Sequence, residues 1–141
     1  MGFRILDHTA DIGIEVEAAE IGHLFADAAR GFASCVTDLT TIEARHDRHF
    51  AVSSQGLDNL MVDWLDELLY TFEIDGQVFS QLDVDVLCAG EKFRLEARAA
   101  GEHFDPERHP LKVPIKAVTY HELKVWRDEK GVWKARVIFD I

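Results

Sequence analysis

The ten residues from Val132 to Ile141 read as a strand whose alternation runs to the last residue. Trp133, Ala135, Val137, Phe139 and Ile141 fall on one face, and Lys134, Arg136, Ile138 and Asp140 on the other. A period of two over this length specifies a half-buried strand and demands a sheet with one face against a core. Chain ends ordinarily fray, because an untethered terminus gains little from ordering. Here the pattern continues to Ile141, whose side chain is expected to anchor inside while its free carboxylate is held beside Asp140. Two anionic groups on neighbouring residues make half of a cation site.

Other stretches share this period. Phe3 to Leu6 is a short apolar run, and Asp7 to Asp11 is polar enough to bend. Ile12, Ile14 and Val16 then alternate with Gly13, Glu15 and Glu17, and parity places Asp11 on the wet face. Gly13 inside a strand marks a place where another backbone or a ligand approaches closely. Ile42 to Ser53 reads as a further strand. Leu82 to Cys88 and Phe93 to Ala99 alternate on either side of Gly90-Glu91, which predicts a hairpin. Gly101 to Pro114 is expected to be a loop, and Thr119 to Arg127 pairs with Val132 to Ile141 through a turn at Gly131.

Two segments change period. From Ala18 to about Thr37, Ile21, Leu24, Phe25, Ala28, Phe32 and the Cys35/Val36 pair form one stripe at helical spacing. A second helix is predicted from about Gln55 to Phe72, with Ser53 or Ser54 as its cap. Leu57, Leu60, Met61, Trp64, Leu65, Leu68, Leu69 and Phe72 make its core face, while Asp58, Asp63, Asp66 and Glu67 fill a face read as solvated. Two amphipathic helices packed on mixed, largely antiparallel sheet give an α+β class. The 141 residues, 48% apolar with three Trp and nine Phe, suffice for one domain spanning 1–141.

Charge narrows the function. Against 15 basic residues stand 26 acidic ones, a net −11, which disfavours direct binding to a nucleic-acid backbone and favours cations and basic protein surfaces. Cys35 and Cys88 lie far apart with no CxxC pair and read as two buried thiols of a reducing compartment. No apolar run approaches the ~20 residues that cross a bilayer, and the N-terminus lacks a signal-like apolar region, so a cytoplasmic protein is expected. No phosphate-binding glycine loop, dinucleotide fingerprint, nucleophile elbow or HExxH zinc motif occurs. His46 and His49 are three apart in a strand and face opposite ways. Asp83 and Asp85 share a face without a third ligand.

Asp11 and Asp140 remain. Each stands at a strand end on the polar face. If their strands are neighbours, they and the terminal carboxylate bring three oxygen donors together, a set suited to Ca²⁺, Mg²⁺ or Mn²⁺. The alternative is that each merely caps a turn.

Several motifs carry a resemblance. Asp7-His8-Thr9-Ala10-Asp11-Ile12-Gly13-Ile14, Trp64-Leu65-Asp66-Glu67-Leu68-Leu69-Tyr70, Lys116-Ala117-Val118-Thr119-Tyr120-His121 and the final Phe139-Asp140-Ile141 together resemble the archease family, in order and along the whole chain. The resemblance implies an accessory protein that activates an RNA-splicing ligase, which joins 2′,3′-cyclic-phosphate or 3′-phosphate ends to 5′-hydroxyl ends in tRNA splicing and RNA repair. That ligase uses GTP and Mn²⁺ and passes through a guanylate on one of its own histidines. The resemblance also implies a divalent-cation site, Ca²⁺ first, on Asp11, Asp140 and Ile141, with His8, Lys116, Thr119 and His121 as supporting residues. RNA is then reached only through the ligase, and no membrane is involved. Two other readings stay open: a metal-dependent phosphoester hydrolase acting alone, and a chaperone or adaptor for RNA-modifying enzymes.

Overall fold

The computed structural model describes residues 2–7 and 11–141 of the chain, so His8 and the rest of the bend expected after Asp7 lie outside the described residues. The elements run β1 (Gly2–Asp7), β2 (Asp11–Ala18), α1 (Ile21–Val36), a single 3-10 turn at Leu39–Thr41, β3 (His46–Gln55), α2 (Leu57–Asp75), β4 (Gln77–Ala89), β5 (Lys92–His103), β6 (Ala117–Val118), β7 (Lys124–Arg127) and β8 (Trp133–Asp140). One sheet has the order β1-β2-β8-β6, with β7 also on β8. The other has the order β3-β5-β4. Every pairing is antiparallel, so the α+β class holds and the expected mixed component is absent among the described residues.

Each helix contacts both sheets: α1 touches β1, β2, β8 and β4, and α2 touches all three strands of the second sheet as well as β6 and β7. The principal core therefore draws on both sheets and both helices. Trp64, Phe25, Phe139, Leu24 and Ile14 are fully buried within it. Phe50 meets the edges of Trp64 and Phe79, and Phe32 meets that of Phe139. The Trp64 indole N–H, a donor that burial alone would leave unsatisfied, donates to the Phe25 carbonyl at 3.0 Å.

Several boundaries depart from the sequence expectation for identifiable reasons. Ala18 does not begin α1; it ends β2, paired with Trp133. The second helix takes no cap from Ser53 or Ser54, which both belong to β3; the Ser54 hydroxyl instead donates to Asp63 in the second turn of α2. At its other end α2 runs past Phe72 to Asp75. It stops at Gly76, whose φ of 67° is left-handed and whose N–H reaches Phe72 and Thr71. Ile42 is not in a strand but joins Ala33 and Val78 in a small second cluster. Between β6 and β7 the chain leaves the sheet, so the expected continuous strand from Thr119 is confined to Lys124–Arg127. Gly131 takes the expected left-handed φ, at 81°.

The expected loop from Gly101 is still strand to His103 and then folds around a buried carboxylate. Glu102, 3% exposed, accepts the Glu43 N–H at 2.7 Å and two bonds from the Arg108 guanidinium at 2.7 and 2.8 Å. His109 is fully buried against Phe104. Its Nδ1 accepts the Asp105 N–H at 2.8 Å, which leaves the proton on Nε2 to donate to Glu102 at 3.0 Å. These donors, Arg108 foremost, hold the Glu102 carboxyl well below the usual carboxylate range against the opposing effect of burial.

A folded-state pKa lowered in this way contributes stability that is present above the unfolded value and lost as the pH falls. Glu102→Ala is expected to cost about 3 kcal/mol at pH 7, because it strands buried donors. Arg108 is half exposed, so its share is discounted for solvent screening. The deficit should shrink as the pH falls below about 4, where unfolded glutamate takes up its proton. Urea titrations of both proteins at pH 7 and pH 3 measure this; an undiminished deficit at pH 3 would show that packing, not charge, sets it.

Candidate functional site: an acidic pair at the end of the first sheet

The β2–β8 register places Asp11 directly opposite Asp140. On the other side of β8, Ala117 of β6 pairs with the same Asp140. Asp140 thus stands in the middle of a three-strand row at the sheet's end. Its main-chain carbonyl is tied down by the Lys116 N–H at 2.8 Å.

Parity puts the two aspartates on the face turned away from the helices. Along that face the rows are strongly ordered. Arg4, Glu15 and Arg136 are Cα partners across β1, β2 and β8, and Glu15 is paired with both arginines. Arg4 and Arg136 together draw the Glu15 carboxyl below its ordinary range.

Gly13 and Ile138 form the row between this ion-pair row and the aspartates. A Cβ on Gly13 would come within 2.6 Å of Ile138 Cδ1 and 2.9 Å of the Val137 carbonyl oxygen. The close approach expected at Gly13 is therefore made by the neighbouring strand. Ile138, which falls on the polar face by parity, is only 2% exposed.

The acidic row itself is unbalanced. Like charges directly opposite across a ladder repel. Asp11 Oδ1 is buried and has no hydrogen-bond partner among the described residues. A buried carboxylate oxygen without a donor is costly, and a cation is one group that would satisfy it. Asp140 is exposed, and Ile141 is half-buried with its side chain against the core. Among the described residues no three His, Cys, Asp or Glu side chains gather to hold a metal ion. A cation here would rest on two side-chain carboxylates and main-chain oxygen, a hard donor set that fits Ca²⁺, Mg²⁺ or Mn²⁺.

The other residues singled out from the sequence separate. Lys116 is exposed and serves the row through its backbone N–H. Both the N–H and the hydroxyl of Thr119 donate to the Ile138 carbonyl, at 3.0 and 2.9 Å. Thr119 therefore latches β8 just before the acidic row. His121 is exposed, its N–H on Thr119 Oγ1 and its Nε2 3.6 Å from Glu122. His46, His49, Asp83 and Asp85 are exposed on the second sheet. Cys35 lies on the buried face of α1, and desolvation pushes its thiol up to about 12, far from a nucleophile's range. Cys88, expected to be buried like Cys35, is free but exposed, because it falls at the end of β4 beside the turn at Gly90. No helix among the described residues is long and apolar enough to cross a membrane.

Fold and site define a small α+β protein that presents paired carboxylates at the end of an antiparallel sheet. The archease protein family matches residues 3–141. Protein archease of Methanosarcina mazei is 36% identical over 140 residues, covering 99% of this chain and 95% of that one. Protein archease of Methanopyrus kandleri is 36% identical over 141 residues and the full length of both. The solution structure of Methanobacterium thermoautotrophicum protein 1598 has a TM-score of 0.85 and 32% identity, over 99% of both chains. The chain belongs to the archease family.

Removing one charge of the opposed pair should relieve the repulsion. In a chelator-containing buffer Asp140→Asn is expected to raise stability by roughly 0.5 kcal/mol, about 1–2 °C in the melting temperature for a chain of this size. Thermal unfolding monitored by circular dichroism measures it. A variant that melts lower than the parent would mean the pair is not a net repulsion.

Proposed function

We propose that this protein activates an RNA-splicing ligase that uses GTP and Mn²⁺, promoting guanylylation of the ligase and its repeated turnover. Membership of the archease family supports an accessory protein of RNA processing, not the catalyst itself. The observation that carries the finer reading is the opposition of Asp11 and Asp140, with Asp11 Oδ1 buried and without a donor among the described residues. Asp11, Asp140 and a main-chain oxygen of Ile141 would hold a divalent cation, Ca²⁺ by preference, with Mg²⁺ and Mn²⁺ also compatible. When bound, the cation supplies positive charge where phosphates gather in the partner's guanylyl transfer.

The chain's own residues do the positioning. Pairing with β2 fixes Asp11 against Asp140, and the Lys116 N–H and Thr119 hold the carbonyls of Asp140 and Ile138 on the other side. Neither carboxylate has to be gathered from a loop when the partner arrives, which lowers the ordering cost of binding. The net charge of −11 repels RNA phosphates and suits a cationic, RNA-handling protein. RNA is then met through the ligase.

Two measurements test this. Ligation of a 3′-phosphate RNA by the cognate ligase at substoichiometric concentration, with GTP and Mn²⁺, should give multiple turnovers only when the protein is present. Asp11→Asn and Asp140→Asn should each reduce the stimulation at least tenfold while leaving the fold intact by circular dichroism. Full stimulation by either variant sinks the cation-site reading. Release of product without ligase would instead favour the lone hydrolase. In a melt with Ca²⁺ at 100 times its Kd, the parent should gain about 2.7 kcal/mol and both variants almost nothing.

A further inference from the structure

The side of α2 that faces away from the core carries a second stripe at the same spacing as the first. Asp63, Asp66, Glu67, Tyr70, Glu73 and Ile74 stand at i, i+3, i+4, i+7, i+10 and i+11, and all six are exposed. This is not simply a solvated polar face. Tyr70 is 59% exposed and Ile74 64%, and from the turn after β6 comes Tyr120, 60% exposed. The Tyr120 hydroxyl donates to Asn59 Oδ1 on α2 at 2.9 Å, so its ring is held against the helix. Between α2 and β6 lies an open hollow of about 400 Å³ lined by Asp66, Glu67, Tyr70, Glu73 and Lys116.

The charges on this face are unspent. Several carboxylates elsewhere have cationic neighbours: Glu15 has Arg4 and Arg136, Asp27 has Arg30, Asp75 has Arg48, and Glu102 has Arg108. Among the described residues none of the ion pairs within 4.0 Å involves Asp66, Glu67 or Glu73. Carboxylates beside exposed tyrosine rings suit a guanidinium, which donates two hydrogen bonds in its plane and stacks on an aromatic face. The hollow also adjoins the acidic row, because Lys116 and Ala117 on its rim bond and pair with Asp140.

We propose that the outward stripe of α2, with Tyr120, docks an arginine-bearing protein surface of the ligase and so aligns the Asp11–Asp140 end of the sheet with it. The occupant is a protein and not RNA, since a phosphate backbone would meet uncompensated carboxylates. The inference rests on the ligase reading and adds the surface by which the partner is held.

The test is direct binding of the full-length chain to the cognate ligase, by titration calorimetry at low and moderate salt. Glu67→Arg with Glu73→Arg should weaken binding at least tenfold and flatten its salt dependence. Tyr70→Ala should weaken it severalfold, and Tyr70→Phe should restore it. The control is Asp83→Arg with Asp85→Arg on the exposed face of the second sheet, which changes net charge by the same amount and should bind like the parent. If the α2 double variant binds like the parent, the docking surface is wrong and the ligase reading stands. Equal weakening by both double variants would mean that net charge alone acts, which also overturns the docking surface. If the parent itself does not bind the ligase, both readings fall.

Discussion

The pairing of β2 with β8 is the constraint on which the rest of the structure depends. These strands lie 115 residues apart, from Ala18 to Trp133, and are central in the first sheet. Their inward residues Ile12, Ile14, Val16, Ala135, Val137 and Phe139 are all buried. At roughly 1.5–3 kcal/mol for each large apolar side chain removed from water, this face far outweighs the repulsion of one carboxylate pair on the other. A slip of one residue would turn the buried set outward. A slip of two would keep the faces but set Asp140 against Gly13, part Gly13 from Ile138 and break the Arg4–Glu15–Arg136 row. The opposition of Asp11 and Asp140 is therefore imposed by interactions made elsewhere along the same two strands.

Such an arrangement differs from a site assembled on loops. Its electrostatic cost is carried permanently by the apolar face beneath it, so a ligand that neutralises the pair has no ordering cost to meet. The rows on the outer face grade from a satisfied one to an unsatisfied one. Glu15 has two arginines, Gly13 and Ile138 close off the middle, and Asp11 faces Asp140 with an oxygen lacking a donor among the described residues. The contrast within one face, with backbone geometry held constant, is what singles out the last row as the candidate site.

Much of this was legible in the sequence, and the missing parts have physical causes. Period-two patterns located β2, β4, β5 and β8, the two apolar stripes located the helices, and parity assigned Asp11 and Asp140 to the wet face. Parity concerns one strand at a time and carries no information about which strands are neighbours. The partition into two sheets, and with it the Asp11–Asp140 register, appears only in the fold. Ile138 shows the same limit: its side chain occupies the space left by Gly13 across the ladder, a cross-strand property. The Glu102–Arg108–His109 network was hidden because its segment has no period, and what binds it is a buried charge collecting donors from Glu43 to His109. The boundary errors at Ala18 and Ser54 arose where tertiary pairing overrode local preference.

The helix α2 shows why one stripe of a helix is easier to interpret than the other. Its inner stripe is explained completely by burial around Trp64. The outer stripe, judged by composition, is the ordinary acidic face of a soluble protein. Two facts from the fold remove that explanation. An element remote in sequence brings a second exposed tyrosine to it, and the strand beside it is the one that holds Asp140 in place. Solvation accounts for the carboxylates but not for Tyr70, Ile74 and Tyr120 left outside a core that takes up every other tyrosine-sized side chain of α2. Exposed aromatic surface has a cost in water that an interface removes. Linking that surface through β6 to a carboxylate pair that has no ion-pair partner among the described residues gives a partner two separate reasons to bind the same end of the molecule.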